Sequence, residues 1–162
     1  MVRRYDFVLA PRFSVNSPVA IIPDDEPQRL EAVRRYDILD TPPDGAFDRI
    51  TALAARRLNV PISIISIVDS DRIWFKSHHG VPVNQIGRDA GLCASAILSA
   101  EPHILPDARA DARSLANPLV AGDFGLRFYA GVPLRTSDGL TSGRCALSTR
   151  TCGESIKARL MT

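Results

Sequence analysis

The chain has 162 residues, of which 45% are hydrophobic and 23% are charged, and its formal net charge is +2. This composition predicts one soluble globular domain with a single core and excludes bulk disorder. The basic residues form short scattered pairs such as Arg34-Arg35 and no stripe interleaved with aromatics, so we expect no nucleic-acid partner. No apolar run approaches the roughly 20 residues that span a bilayer, so we expect no membrane span.

Cysteine and histidine usage indicates a reducing compartment and no structural metal. The three cysteines, at positions 93, 145 and 152, lack the spacing of a zinc site and the density of a disulfide scaffold. The three histidines, at positions 78, 79 and 103, likewise form no zinc-binding arrangement. We therefore expect a cytoplasmic protein without a metal site.

Two helices are predicted first. Residues 1–23 show no steady period and are interpreted as a loose leader or linker. Acidic residues and Pro27 then begin a helix over residues 26–38, whose apolar face carries Leu30, Val33 and Tyr36 and whose arginines lie mostly off that face. Thr41 or Asp44 caps a second helix that carries apolar residues from Phe47 to Leu58 and ends at Asn59.

A β-hairpin follows the helices. The run from Ile62 to Val68 is β-branched, Asp69-Ser70-Asp71 supplies a turn, and Ile73-Trp74-Phe75 resumes strand composition. The first strand is apolar on both faces, which is typical of a central strand that is covered on both sides.

The second half of the chain mixes short elements. Residues 83–91 are predicted as a loop, residues 92–98 as a short buried helix, residues 103–105 as a strand, residues 117–122 as a short helix or turn, and residues 124–134 as a strand. Asp138-Gly139 is a strong hairpin turn that requires a returning strand. Residues 140–162 show little alternation, so the returning strand is predicted to be damaged.

The order of these elements and motifs resembles the GAF domain family over about residues 25–139. The resemblance rests on the two helices, the hairpin with Trp74-Phe75-Lys76, Leu-Cys-Ala-Ser-Ala-Ile from Leu92, Asp-Ala-Arg-x-Asp from Asp107, Asn-Pro-x-Val-x-Gly from Asn117, and Arg-Phe-Tyr-Ala-Gly-x-Pro-Leu from Arg127. It implies an α+β fold in which helices cover one face of a central antiparallel sheet and a ligand-sized pocket lies on the other. The domain would span residues 24–141, followed by an atypical tail, residues 142–162, in place of the final strand.

That tail suggests a frameshift. Similar domains continue with a segment like Asn-Leu-Gly-Thr-Leu-Cys-Ala-Ile-Asp, and a coding sequence for it, read one base later, encodes residues 141–149 of this chain. We hypothesise that a frameshift replaced the native final strand, which would leave unpaired backbone groups in the sheet and an unstable chain.

The resemblance implies a non-catalytic sensory or regulatory domain in bacterial signal transduction that binds an unknown small molecule. Such a domain would act as a homodimer or through an output domain such as a histidine kinase. No spacing proposes a nucleophile, base and orienting group, so we expect no enzyme. Two alternatives stay open: a redox enzyme or switch similar to methionine sulfoxide reductases that uses Cys93, although a small packing residue is the ordinary role there, and a ligand-free dimerisation module.

The candidate pocket residues come from two aromatic pairs, one helix and the polar loops. Strand alternation sends one member of Trp74-Phe75 and one of Phe128-Tyr129 to the pocket face. The full candidate set is Trp74, Phe75, Cys93, Asp107, Arg109, Asn117, Phe128 and Tyr129, with Asp111 as a further rim residue. A haem bound through a histidine is disfavoured, because His78 and His79 fit an exposed loop and His103 a strand edge.

Overall fold

The computed structural model describes residues 22–88, 92–112, 114–115 and 117–151. Nearly all of the predicted leader, and the tail beyond Thr151, lie outside these residues. The elements in chain order are α1 (Glu26–Arg35), α2 (Gly45–Leu58), β1 (Ile62–Val68), β2 (Arg72–His79), β3 (Gln85–Gly87), α3 (Leu92–Ala96), β4 (His103–Leu105), α4 (Pro118–Ala121), β5 (Phe128–Arg135) and β6 (Thr141–Thr149).

Six strands of the described chain form one antiparallel sheet in the order β3-β2-β1-β6-β5-β4. The predicted hairpin is therefore confirmed as β1 and β2, and β1 lies inside the sheet between β2 and β6. Residues of β1 are buried on both faces, as its apolar composition predicted. The α+β fold class is confirmed.

The sheet separates two layers. Alternate side chains of β1 and β5 pack against α1 and α2 on one face, where Ile67 meets Val33 and Phe128 meets Ala55. The opposite face carries α3, α4 and the connecting loops, where Tyr129 packs with Leu92 and Val120. A side chain on one strand therefore faces either the helical layer or the loop layer, and the neighbouring residue faces the other.

The returning strand was predicted wrongly. Residues 141–149 form β6, which pairs with β1 on one side and with β5 on the other, and Asp138-Gly139 forms the predicted turn before it. Its Thr, Ser, Gly and Arg residues have no apolar alternation, yet both neighbours offer free backbone groups and apolar walls, which outweigh weak intrinsic preference. The sheet thus has no unpaired gap at this place, whereas the frameshift itself stays a hypothesis about the gene.

The first helix differs from its prediction in length and in orientation. It ends at Arg35, and Tyr36 is 53% exposed, so Tyr36 does not join the buried face. Arg29 lies 1% exposed instead of off the apolar face. Its guanidinium donates to Glu26 at 2.7 Å and to the Val68 carbonyl oxygen at 2.6 Å, so burial of the charge is compensated by an ion pair and a hydrogen bond.

Glu26 is the centre of that buried network. Arg88 also donates to Glu26, at 2.6 Å. Burial by itself would raise the pKa of Glu26, but hydrogen bonds from Arg29 and Arg88 and the charges of both lower this pKa to about 2. The network joins α1 to the end of β1 and to the segment after β3.

The second helix confirms its predicted caps and part of its predicted apolar face, since Ala54 and Leu58 pack beside Phe128. The Asp44 carboxylate accepts from the Ala46 backbone N–H at 2.8 Å, and Asn59 has the left-handed conformation that ends the helix. The fully buried residues of α2 are the small Thr51 and Ala55, while Ile50 and Leu53 are 50% and 60% exposed. Small residues allow α2 to lie close to the sheet.

The remaining short elements were mostly predicted. The strand His103–Leu105 and the helices α3 and α4 are confirmed, although α3 ends at Ala96. The predicted loop 83–91 contains β3, a three-residue edge strand that pairs with the start of β2, and β5 begins four residues later than predicted. In the described residues, none of the helices combines the length and apolarity that crossing a bilayer requires.

Candidate functional site

A cavity lies between the sheet and the loop layer. Its walls come from five of the strands, from α3 and α4, and from the segments 81–83 and 124–126; they are Ile62, Ile64, Phe75, Val81, Val83, Ile86, Leu92, Cys93, Leu119, Phe124, Leu126, Tyr129, Ala146 and Ser148. The centre of a water molecule can occupy about 70 Å³ inside it. One water requires roughly 10–15 Å³ by this measure, so the cavity has room for a small molecule.

Three polar groups interrupt the apolar walls. The Tyr129 hydroxyl donates to Cys93 Sγ at 3.3 Å, and Ser148 contributes a hydroxyl from β6. Burial, together with the neighbouring Cys93, raises the pKa of Tyr129 well above its usual range, so this phenol stays neutral in the folded chain. An apolar cavity with a few convergent polar groups is typical of a small-molecule site.

The aromatic candidates divide between the two faces of the sheet. Phe75 and Tyr129 line the cavity, together with Cys93. Trp74 packs with Val33 under α1, and Phe128 packs with Ala55 under α2. The structure therefore brings one member of each aromatic pair to the cavity, in agreement with strand alternation, and places the other on the helical face.

The polar rim candidates build the loop that carries part of the cavity wall. Asp107 forms an ion pair with Arg127 at 2.5 Å and accepts from the Arg109 backbone N–H, while the Arg109 side chain is exposed. Asn117 caps α4 by accepting from the Leu119 N–H at 2.9 Å. Asp111 accepts from the Ser114 N–H in the same way. None of these residues lines the cavity.

Arg144 is an unforeseen feature of the cavity face. It belongs to β6, is fully buried, and donates to the backbone carbonyl oxygens of Ser99, Glu101 and Gly131 at 2.8 to 3.1 Å. No described residue accepts from its Nε. Burial lowers the pKa of the guanidinium. Because residues 140–162 were not predicted to form a strand, this residue was missed, and their sequence has no alternation that would have identified it.

The histidines do not meet at the cavity. His78 Nε2 lies 2.9 Å from Asn84 Oδ1 at the edge of β2, and the His103 ring lies 6.0 Å from the Tyr129 ring, centroid to centroid. Within the described residues no group of three or more His, Cys, Asp or Glu side chains is placed to hold a metal ion.

Solved structures share this architecture. The free methionine-R-sulfoxide reductase of type II from Thermoplasma acidophilum has a TM-score of 0.55 at 14% identity, over 71% of this chain and 82% of that one. The GAF domain of an Acinetobacter phosphoenolpyruvate-protein phosphotransferase has a TM-score of 0.53 at 18% identity, over 83% and 86%. At these identities the similarity concerns the fold alone.

Sequence comparison gives a nearer relative and a family. The chain is 39% identical over 121 residues to a cyclic di-GMP phosphodiesterase from Pseudomonas aeruginosa; the match covers 75% of this chain and 21% of that protein, so the chain spans about a fifth of the length of this relative. The family model of the GAF domain matches residues 42–152, which include both central strands and every wall of the cavity. With this match added to the sheet order and the two layers, the chain belongs to the GAF domain family.

Proposed function

We propose that this chain is a non-catalytic sensory domain of bacterial signal transduction that binds a small, mainly apolar molecule in the cavity between the sheet and α3 and α4. The observation that carries the proposal is the cavity itself: side chains from most elements of the domain surround it, and Tyr129, Cys93 and Ser148 offer a ligand its polar contacts. Apolar walls with few polar groups suit such a ligand.

The sheet offers a route from the cavity to the helical layer. In β1, Ile62 and Ile64 line the cavity, while Ile67 packs with Val33 of α1 on the opposite face. A ligand that separates the cavity walls acts on strands that also carry α1 and α2. It changes the packing of the helices only if it binds two arrangements of the domain with unequal affinity.

The proposed domain works in the cytoplasm, through a homodimer or an attached output domain. A histidine kinase is one such output, and the P. aeruginosa relative is named for cyclic di-GMP phosphodiesterase activity. The match covers only 21% of that relative. We therefore propose cyclic di-GMP hydrolysis only as one kind of activity that an attached output domain could have, and not as an activity of this chain.

A redox function through Cys93 is the second candidate, and it rests on the position of this cysteine in the cavity wall. Cys145 is half-buried, but strand alternation sends it to the face opposite its cavity-lining neighbour Ala146. Thiol labelling of the folded chain separates the two functions. If Cys93 only packs in the cavity wall, the reagent labels it only after the chain unfolds. A redox switch needs an accessible thiolate, so Cys93 would be labelled in the folded chain.

The sensory proposal is tested with benzene, a small apolar probe, on the intact chain. Benzene that enters the cavity raises the melting temperature in a concentration-dependent way, because it binds only the folded state. Ala146→Leu fills the cavity from β6 and should abolish this effect. Ala54→Leu adds the same atoms on the helical face, where Ala54 packs beside Ala55, and should preserve it.

Two results would contradict the proposal. A melting temperature that does not respond to benzene indicates a packed module without a ligand, which is the dimerisation alternative. An equal response in the Ala146→Leu variant places the binding elsewhere.

A further inference from the structure

A second group of polar side chains lies on the helical face of the sheet, around Lys76. Lys76 is the extra residue of a bulge in β2, because Phe75 pairs with Ser66 and Ser77 pairs with Ile65. Alternation with Trp74 and Phe75 directs Lys76 away from the cavity and toward the segment between α1 and α2. The bulge places Ser77 on the same face, where it contacts Asp48.

The Lys76 ammonium is held in place but has no counter-ion among the residues that the structure describes. The residue is 8% exposed, and Nζ lies 5.5 Å and 6.0 Å from the centroids of the Phe47 and Trp74 rings. Nζ donates to Thr41 Oγ1 at 2.7 Å and to the Pro42 carbonyl oxygen at 3.0 Å. An ammonium has three donors. Among the described residues no carboxylate lies within 4.0 Å of it.

Lys76 lines a groove. The centre of a water molecule can occupy about 560 Å³ of it, and the lining residues are Asp40, Thr41, Pro42, Pro43, Asp48, Trp74, Phe75, Lys76, Ser77, His78 and Asn84. Most of the polar groups bind one another: Asp40 forms an ion pair with Arg72 at 2.6 Å, and His78 bonds to Asn84. Lys76 and Asp48 are the two charged residues of the lining that lack an ion pair among the described residues.

Asp48 supplies the opposite charge. It lies exposed in the first turn of α2, and its Oδ1 accepts from the Ser77 hydroxyl at 2.7 Å. Ser77 is in turn 2.9 Å from the Thr51 hydroxyl, so the carboxylate is oriented by a buried polar pair. A groove lined by one cation and one carboxylate, neither of which has an ion pair among the described residues, is complementary to a molecule that carries both charges.

We infer that this groove binds a zwitterionic α-amino acid, with its carboxylate on the Lys76 ammonium and its amino group on the Asp48 carboxylate. The apolar rings of Trp74 and Pro43 also line the groove and would contact the side chain of the amino acid. The two charged groups are separate from the apolar cavity, since Lys76 and Asp48 lie on the helical side of the sheet and Phe75 is the one described residue that borders both the cavity and the groove. It therefore goes beyond the sensory function proposed above and does not depend on it.

The experiment uses the fluorescence of Trp74, the single tryptophan of the chain, which lines the groove. The intact protein is titrated separately with each of the common L-amino acids, with acetate and with ethylamine, up to about 10 mM. At least one amino acid should give a saturable change, and acetate and ethylamine should bind at least about tenfold more weakly than that amino acid.

Two variants assign the charges. Lys76→Met should weaken the binding of the amino acid at least about tenfold. Asp48→Asn keeps an oxygen that can accept from Ser77 and removes only the charge, so it should fold normally and lose the preference for the amino acid over acetate. This second variant keeps the test valid if Lys76→Met is unstable.

Three results would overturn the inference. The first is that no amino acid produces a saturable change in Trp74 fluorescence. The second is that acetate binds as tightly as the best amino acid, which removes the role of Asp48. The third is that Asp48→Asn leaves the preference for the amino acid unchanged.

Discussion

Gly143 gives a direct test of the position of β6 in the sheet. It pairs with Ile67 of β1, and a Cβ added to it would lie 1.9 Å from the Ser66 carbonyl oxygen and 2.9 Å from the Ser66 carbonyl carbon. Both atoms belong to the backbone of β1, so no side chain can rotate away. In Gly143→Ala the two central strands must separate locally by about 1 Å.

The cost of this separation follows from two terms. Overpacking of a tight interior costs about 1–3 kcal/mol and occasionally more, and each ladder hydrogen bond that lengthens loses about 1 kcal/mol. We expect Gly143→Ala to lower the free energy of unfolding by about 3 kcal/mol, and the melting temperature of a chain of this size by roughly 10 °C.

Gly87→Ala is the matched control. Gly87 ends β3 at the sheet edge, and a Cβ added there meets no atom within 4 Å. Its effect should stay within about 0.5 kcal/mol. Both variants are measured by urea unfolding, followed by circular dichroism, with the wild-type chain alongside. If Gly143→Ala is as stable as Gly87→Ala, residues 141–149 do not lie against β1 and the sheet order is wrong.

Three further predictions concern single residues. The pKa of Glu26 is about 2 in the folded chain against an ordinary 4.5, so the ionised carboxylate stabilises the chain above pH 4.5 by on the order of 3 kcal/mol. This contribution is lost as the pH falls from 4.5 toward 2. In an acid titration of stability, Glu26→Gln should not show this loss. The pKa of Tyr129 is raised in the folded chain, so the contribution of its neutral hydroxyl to stability is complete below pH 10 and is lost above pH 10. Tyr129→Phe should lower the free energy of unfolding by about 1 kcal/mol at pH 7 and should make the chain less sensitive to unfolding by base. Asn59→Ala should cost about 1 kcal/mol in thermal melts, because Asn59 is left-handed, whereas Asn59→Gly should cost nothing; equal effects of the two would contradict this account of the cap.

The parts of the fold that depend on local pattern were predictable. The Ile62–Val68 run and its turn specify the hairpin through β-branched residues and turn chemistry, and Asp44 and Asn59 mark the ends of α2 through capping preferences. Alternation also predicted that one residue of each aromatic pair faces the cavity, as Phe75 and Tyr129 do.

The parts that depend on distant partners were not predictable. The sequence of β6 has no strand pattern. The strand forms because β1, whose paired residues are 76 to 86 positions away, and β5, whose paired residues are 6 to 21 positions away, offer backbone partners on both sides. Arg29 is buried by a hydrogen bond to Val68, which lies 39 residues further along the chain. It also binds the Glu26 carboxylate, to which Arg88 donates from 62 residues away. No periodicity within one helix contains this information.

The candidate site was predictable only by its face. Trp74 and Phe75 are both large aromatic residues, so the sequence does not show which of them faces the cavity. The register of β2 against β1 decides this. The rim candidates Asp107 and Asn117 are polar loop residues, and the structure employs both in local bonds that shape the loop. Whether the tail sequence arose by frameshift stays a hypothesis that sequencing of the gene would test: an intact frame without a homologous continuation downstream contradicts it.

The central claim is that the cavity facing α3 and α4 is a ligand site, and a crystal structure under xenon pressure tests it most directly. Xenon occupies apolar cavities that admit small molecules. We predict a xenon atom among Ile64, Leu92 and Tyr129, and its loss in Ala146→Leu crystals. A pressurised crystal without xenon between these side chains would contradict the account.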